Sequence, residues 1–123
     1  MEKILVIDDE PQILLMISAR LKANGYVVVT APSGAQGLKE AKAERPDLIF
    51  LDYVMPEMNG AEALSHLKGD PATKGIPVVM FTADVKRVKV AEFQELGATD
   101  CIYKPFLPDE LITKVRKILG KKT

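Results

Sequence analysis

Five short runs rich in β-branched residues, KILVID (3–8), YVVVTA (26–31), DLIFLD (47–52), PVVMFTA (77–83) and DCIYK (100–104), alternate with helix-period segments along the chain. Few folds accept that alternation. Continuous apolar runs of this length suit strands covered on both faces, the condition of a parallel sheet with helices on each side. Between the runs, Ile13, Leu14, Ile17 and Leu21 share one helical stripe that Gly25 can terminate, and Ser33 with Gln36 makes a capping box for a second helix. A third helix is expected from about Asn59 to Lys68 and a fourth from about Val85 to Leu96, with Gly97 as its stop. The last follows Pro108 and carries Leu111, Ile112, Val115, Ile118 and Leu119. This is a (βα)5 pattern filling residues 1–123 as one domain, with no linker or low-complexity tract, and its longest break, GDPATKGIP (69–77), reads as a surface loop.

Composition narrows the function. Seventeen basic and seventeen acidic residues cancel, so nothing in the charge argues for a nucleic-acid or anionic-membrane surface. The apolar runs are far shorter than the roughly 20 residues that span a bilayer, and Met1-Glu2-Lys3 leads into ILVI without a cleavable signal pattern. A cytoplasmic protein is expected. Cys101, the single cysteine, cannot form an internal disulfide or share a zinc site with a second thiol; it reads as a small buried filler.

In a doubly wound sheet, ligands bind beyond the carboxyl ends of the strands where the winding direction switches. The first run ends in Asp8-Asp9, the third in Asp52, the fourth in Thr82 and the fifth in Lys104-Pro105. If the strands run 2-1-3-4-5, the first and third are neighbours about 4.8 Å apart and three carboxylates crowd one crevice. They need a cation. Oxygen-only ligands at close quarters suit Mg²⁺, which keeps several waters and takes one or two direct carboxylates. Glu10 can instead face solvent at the start of the first helix. Taken singly, each residue has a plainer reading: Asp8-Asp9 as a solvated turn or helix cap, Asp52 as a strand terminator, Thr82 as a strand residue, Lys104 as surface charge.

The segments ILVIDDE, DLIFLDYVMPEMNG, PVVMFTA and YKPF, in that order and spacing, resemble the receiver domain of two-component response regulators, in its stand-alone, chemotaxis-regulator-like form, over essentially the whole chain. The resemblance implies a flavodoxin-like five-stranded parallel sheet of order 2-1-3-4-5. It also implies a phosphorylation-activated switch that takes a phosphoryl group on Asp52 from a histidine kinase or a histidine phosphotransfer protein. By the same analogy Asp9 binds Mg²⁺ directly, Asp8 acts mostly through a bound water, and the Val54 carbonyl adds a ligand. Lys104 and the metal would neutralise the phosphoryl oxygens, while Thr82 would donate its hydroxyl to one of them and change rotamer. Pro105 would follow a cis bond, although only about 5–6% of X-Pro bonds are cis in general. Such a domain is not a turnover enzyme; it catalyses only its own phosphoryl acceptance and loss.

One position departs from the pattern. Receiver domains carry an aromatic residue three before the lysine, and Cys101 occupies it here. Tyr103, on the same strand face by the period-2 rule, is the candidate substitute in the readout. Val54 and Asp84 fall at the variable positions two residues after Asp52 and Thr82, where they affect water access to the acyl phosphate. Met55 and Met58 read as packing, and His66 as a surface residue far from every strand end.

The last helix is expected to end near Leu119 with no output domain behind it, so signalling would pass by protein binding or onward transfer. The face of the fourth helix, fifth strand and fifth helix is the family's usual signalling surface, as a monomer or a phosphorylation-linked dimer. Lys114, Arg116, Lys117, Lys121 and Lys122 make that last helix basic, which also suits a solvated face. A histidine-bearing helical partner would dock at the first helix. Two enzyme or cofactor readings fit less well. A Mg²⁺-dependent aspartyl-phosphate hydrolase needs a second acid where Val54 stands, and a flavodoxin-like mononucleotide binder needs a phosphate-cradling loop where this chain has DDEP. A phosphate-independent receiver-like binding module stays open on the strength of Cys101.

Overall fold

The computed structural model describes residues 2–55, 57–82, 90–103 and 107–120. In chain order the elements are β1 (Lys3–Ile7), α1 (Pro11–Ala23), β2 (Val27–Ala31), α2 (Gly34–Glu44), β3 (Leu48–Asp52), α3 (Gly60–Gly69), β4 (Val78–Thr82), α4 (Val90–Glu95), β5 (Asp100–Tyr103) and α5 (Pro108–Leu119). The strands form one parallel sheet in the order β2-β1-β3-β4-β5, as expected.

Period-2 alternation sends each strand's side chains into two separate cores. Leu5, Ile7, Ile49, Leu51, Met80 and Cys101 pack with Ala41, Ala63, Leu64 and Leu67 of α2 and α3 and with Phe93 of α4. Ile4, Val6, Leu48, Phe50, Phe81 and Ile102 face the other way, onto Ile17 and Leu21 of α1 and Leu111, Ile112 and Val115 of α5. Cover on both faces holds for β1 and β3, whose residues are almost all buried. It does not hold for β2: only Ala31 of that strand is buried, and Val27 is 39% exposed. As an edge strand β2 has a neighbour on one side only, so an apolar run indistinguishable in sequence from β3 ends half covered.

Helix ends follow their residues. At the end of α1 the Gly25 N–H donates to the Lys22 carbonyl and the Tyr26 N–H to the Leu21 carbonyl, with Gly25 at a φ of +89°. Gly97 closes α4 in the same pattern, its N–H on Gln94 and that of Ala98 on Phe93. These paired bonds satisfy carbonyls that the helix leaves open, and they require the left-handed backbone that glycine adopts freely. Ser33 accepts the Gln36 N–H at 3.2 Å, which is half of the expected capping box. The fourth helix is described only over Val90–Glu95, the expected start at Val85 falling outside the described residues. The segment 69–77 is a surface loop, as expected, with one buried residue, Thr73, which is 1% exposed and whose hydroxyl donates to the Leu67 carbonyl at 2.6 Å; the Lys68 ammonium donates to the Ile76 carbonyl at 2.6 Å. Among the described residues no helix is long and apolar enough to cross a membrane.

Candidate functional site

The pairing of Ile7 with Leu51 sets the ends of β1 and β3 side by side, so Asp8 and Asp52 emerge next to each other. Asp8 is fully buried and Asp52 is 3% exposed. The Asp8 N–H donates to the Ala31 carbonyl at 3.1 Å, and its Oδ1 accepts the Glu10 N–H at 2.9 Å. That side-chain-to-backbone bond two residues on is an Asx turn, and it swings the chain from β1 into α1. Asp8, Asp9, Glu10 and Asp52 each bring a carboxylate oxygen to within 4.8 Å of the others. Glu10, which the sequence also allowed to face solvent, therefore joins the three expected acids while its residue as a whole stays exposed. Three consecutive acids directly after an apolar strand were the available signal, and the turn that gathers them was not legible.

Carboxylates this close repel by something of the order of 3 kcal/mol per pair at an effective dielectric of about 20, a cost that a divalent cation offsets. The donors are all oxygen. Two are buried and two stand toward solvent, an arrangement that suits Mg²⁺ with part of its water shell retained. The residues present fit that ion.

Immediately beneath Asp52 the chain comes very close to itself. A Cβ on Gly60 would lie 2.4 Å from the Asp52 carbonyl oxygen and 2.7 Å from the Tyr53 Cα, and the Gly60 N–H donates to the Tyr53 carbonyl at 2.7 Å. Asn59 caps α3 by accepting the Glu62 N–H at 2.9 Å. Asn-Gly here is thus a helix entry built against the end of β3, in keeping with the expected loop into a helix. In the intervening loop Glu57 holds a φ of +68°, a left-handed conformation uncommon for glutamate, which no sequence signal announced. Val54 is 62% exposed and Met55 is buried. Met58 packs against the α2–α3 core near Gly34, as a gap-filling methionine should.

Thr82 is the last residue of β4, one beyond the Phe81 that pairs with Asp52, and it registers opposite Tyr103. Lys104 and Pro105, with the expected cis bond, and Asp84 lie outside the described residues, as do Lys121 and Lys122. Cys101 is buried as expected, and its thiol is pushed up to about 11 by that burial, with the Asp100 carboxylate adding and the Lys114 ammonium opposing. Tyr103 is 37% exposed, and His66 is exposed on α3. Part of the basic character of α5 is already matched within the chain. Lys114 forms an ion pair with Asp100. Burial works against the charged form of Asp100, yet hydrogen bonds from Lys114 and the Cys101 N–H, with the charges of Lys114 and Lys117, hold its carboxyl below the usual range.

Comparison with known proteins agrees with this architecture. The family model for the response regulator receiver domain matches residues 4–116. The chain is 38% identical over 120 residues to the DNA-binding response regulator MtrA of Mycolicibacterium smegmatis, covering 98% of this chain and 51% of that protein. It is 39% identical over 120 residues to the alkaline phosphatase synthesis transcriptional regulatory protein PhoP of Bacillus subtilis, covering 98% and 49%. The chain thus spans about half the length of the curated relatives it matches. Among solved structures, the chemotaxis protein CheY4 of Vibrio cholerae superposes with a TM-score of 0.90 at 34% identity, over 96% of this chain and 98% of that one.

Proposed function

The chain belongs to the response regulator receiver domains, and from that premise we propose that Asp52 is its phosphoacceptor, serving a two-component system or phosphorelay. Receiver domains are regulatory modules rather than turnover enzymes. The observation that carries the assignment is the convergence of four acids within 4.8 Å at the ends of β1 and β3, with Asp52 almost wholly buried among them. A carboxylate oxygen of Asp52 attacks the phosphorus of a phosphohistidine, the P–N bond breaks, and the imidazole nitrogen leaves to take a proton from solvent. Such a transfer asks the protein mainly for positioning and charge neutralisation. Asp8, Asp9, Asp52 and the Val54 carbonyl would hold Mg²⁺, which would supply positive charge to the phosphoryl oxygens. Asp52, paired with Phe81 of β4 and floored by Gly60, would present its carboxylate for attack from a fixed backbone. Lys104 pairs with the transferred group and Thr82 donates a hydroxyl to it. Hydrolysis of the acyl phosphate by the domain itself ends the signal.

The phosphodonor is a histidine kinase or histidine phosphotransfer protein docking on α1, the helix that follows Asp8–Glu10, where Leu15 is 73% exposed and Met16 is 39% exposed. The output partner is a protein bound by the face of α4, β5 and α5. The test is incubation with a small phosphodonor such as acetyl phosphate plus Mg²⁺, read by intact mass. Wild type gains one phosphoryl group, Asp52→Asn gains none, and chelator abolishes the gain; a gain in Asp52→Asn overturns the assignment. A second reading, a receiver-like module that binds its partner without phosphate, rests on Cys101 in place of the aromatic. It requires equal partner affinity in wild type and Asp52→Asn.

A further inference from the structure

The residue that follows the phosphoacceptor is held from three sides. The Tyr53 N–H donates to the Phe81 carbonyl of β4 at 3.1 Å, and its carbonyl accepts the Gly60 N–H of α3 at 2.7 Å. Its ring meets the ring of Phe93, centroids 5.4 Å apart and planes tilted by 59°. Phe93 belongs to α4 and is 4% exposed, in the same core cluster as Cys101. These contacts tie the backbone that follows Asp52 to β4, to the start of α3 and, through one pair of rings, to α4. On β5 the corresponding place is filled by a small thiol that brings no ring to this cluster. Tyr103 is 37% exposed and falls in neither of the two buried core clusters.

We infer that the state of the Asp52 site is passed to α4 through the Tyr53–Phe93 ring contact, with Tyr53 as the positioning residue that couples the phosphoacceptor strand to the signalling face. This rests on the reading that Asp52 takes the phosphoryl group. Coupling of this kind needs an element with two arrangements whose balance the site biases, and α4 is that element. One aromatic pair biases a two-state balance by about threefold to tenfold, enough for a switch of modest gain. A route along β5 through Tyr103 is the competing path.

The experiment measures amide hydrogen exchange over residues 90–95 with and without acetyl phosphate and Mg²⁺, alongside intact mass. Wild type, Tyr53→Phe and Tyr103→Ala are expected to gain a phosphoryl group and change α4 exchange by about threefold or more. Tyr53→Leu and Phe93→Leu gain the phosphoryl group equally, but their α4 exchange stays within about twofold of the unphosphorylated rate. Phe93→Leu, remote from the acids, carries the test if Tyr53→Leu does not fold. An undiminished α4 response in phosphorylated Phe93→Leu overturns the inference, as does a response lost in Tyr103→Ala. Uptake in wild type without any α4 change overturns it while leaving the phosphoacceptor reading intact. Absence of uptake in wild type removes both.

Discussion

Aspartates at two places in the same sheet are handled in opposite ways. Asp100, at the start of β5, stands against the chain's own cation, Lys114, and accepts the Cys101 N–H at 2.8 Å, and its carboxyl is held below the usual range. At the ends of β1 and β3, four acids share a volume 4.8 Å across. The first arrangement is complete within the folded chain. The second gathers like charges, so a cation bound there is held by several carboxylates at once, and its occupancy can be coupled to something else.

The difference is sharpest in how each place answers metal. Mg²⁺ added at about a hundredfold excess over its Kd should stabilise wild type by about 2.7 kcal/mol, because it binds the folded cluster and not the unfolded chain. Asp9→Asn should lose most of that gain. In chelator the same substitution should raise stability by about 1 kcal/mol, since it removes one member of a repelling group. Asp100→Asn should lower stability by a similar amount with or without metal. Urea denaturation of the three proteins in chelator and in Mg²⁺ decides the matter. Asp9→Asn less stable than wild type in chelator would break the contrast.

Next in size is the floor beneath the cluster, which has no counterpart at Asp100. Gly60→Ala places a methyl 2.4 Å from the Asp52 carbonyl oxygen and 2.8 Å from the Met80 terminal methyl. The backbone side of that clash cannot swing away. Overpacking of this kind costs about 1–3 kcal/mol and displaces Asp52 as it relaxes, so Gly60→Ala should be less stable in chelator and bind Mg²⁺ more weakly. Gly75→Ala is the control, because nothing lies within 4 Å of its added Cβ. Equal midpoints in thermal melts of the two variants would show that the close approach carries no weight.

The sheet was legible because short continuous apolar, β-branched runs separate the strands from the helix-period segments in this chain, and the glycines at 25 and 97 stop their helices as expected. Asp8, Asp9 and Asp52 could be brought together on paper because strand-end positions follow from topology alone. What escaped depends on interactions local in space but not in pattern. Glu10 joins the acid cluster while staying exposed, its backbone N–H held by the Asp8 side chain, Thr73 is buried within an otherwise surface loop, and Glu57 adopts a left-handed backbone without being glycine. The half-covered state of β2 escaped for another reason. YVVVTA and DLIFLD are alike in sequence, and only the strand order, a long-range property, makes one an edge and the other central.

The smallest expected effect concerns protons at Asp100. A carboxyl whose folded pKa lies below its unfolded value contributes stability that is fully present above the unfolded value, near 4, and is lost as pH falls through the folded one. Lys114→Met removes the cation that contributes most to the depression, leaving burial to act on Asp100 with only the Cys101 N–H and Lys117 to oppose it. The variant should therefore be less stable than wild type at pH 6 to 8 by no more than about 1 kcal/mol, the pair being only partly buried. The gap should close as the pH drops below about 4, where the carboxylate protonates in the variant's unfolded and folded states and then in folded wild type. Urea midpoints collected from pH 7 down to 3 with chelator present isolate this pair from the acid cluster. A gap that stays constant through the acid range would mean that Lys114 stabilises α5 by packing its aliphatic stem on β5 rather than by compensating the Asp100 carboxylate, and the contrast with the acid cluster would lose one of its two sides.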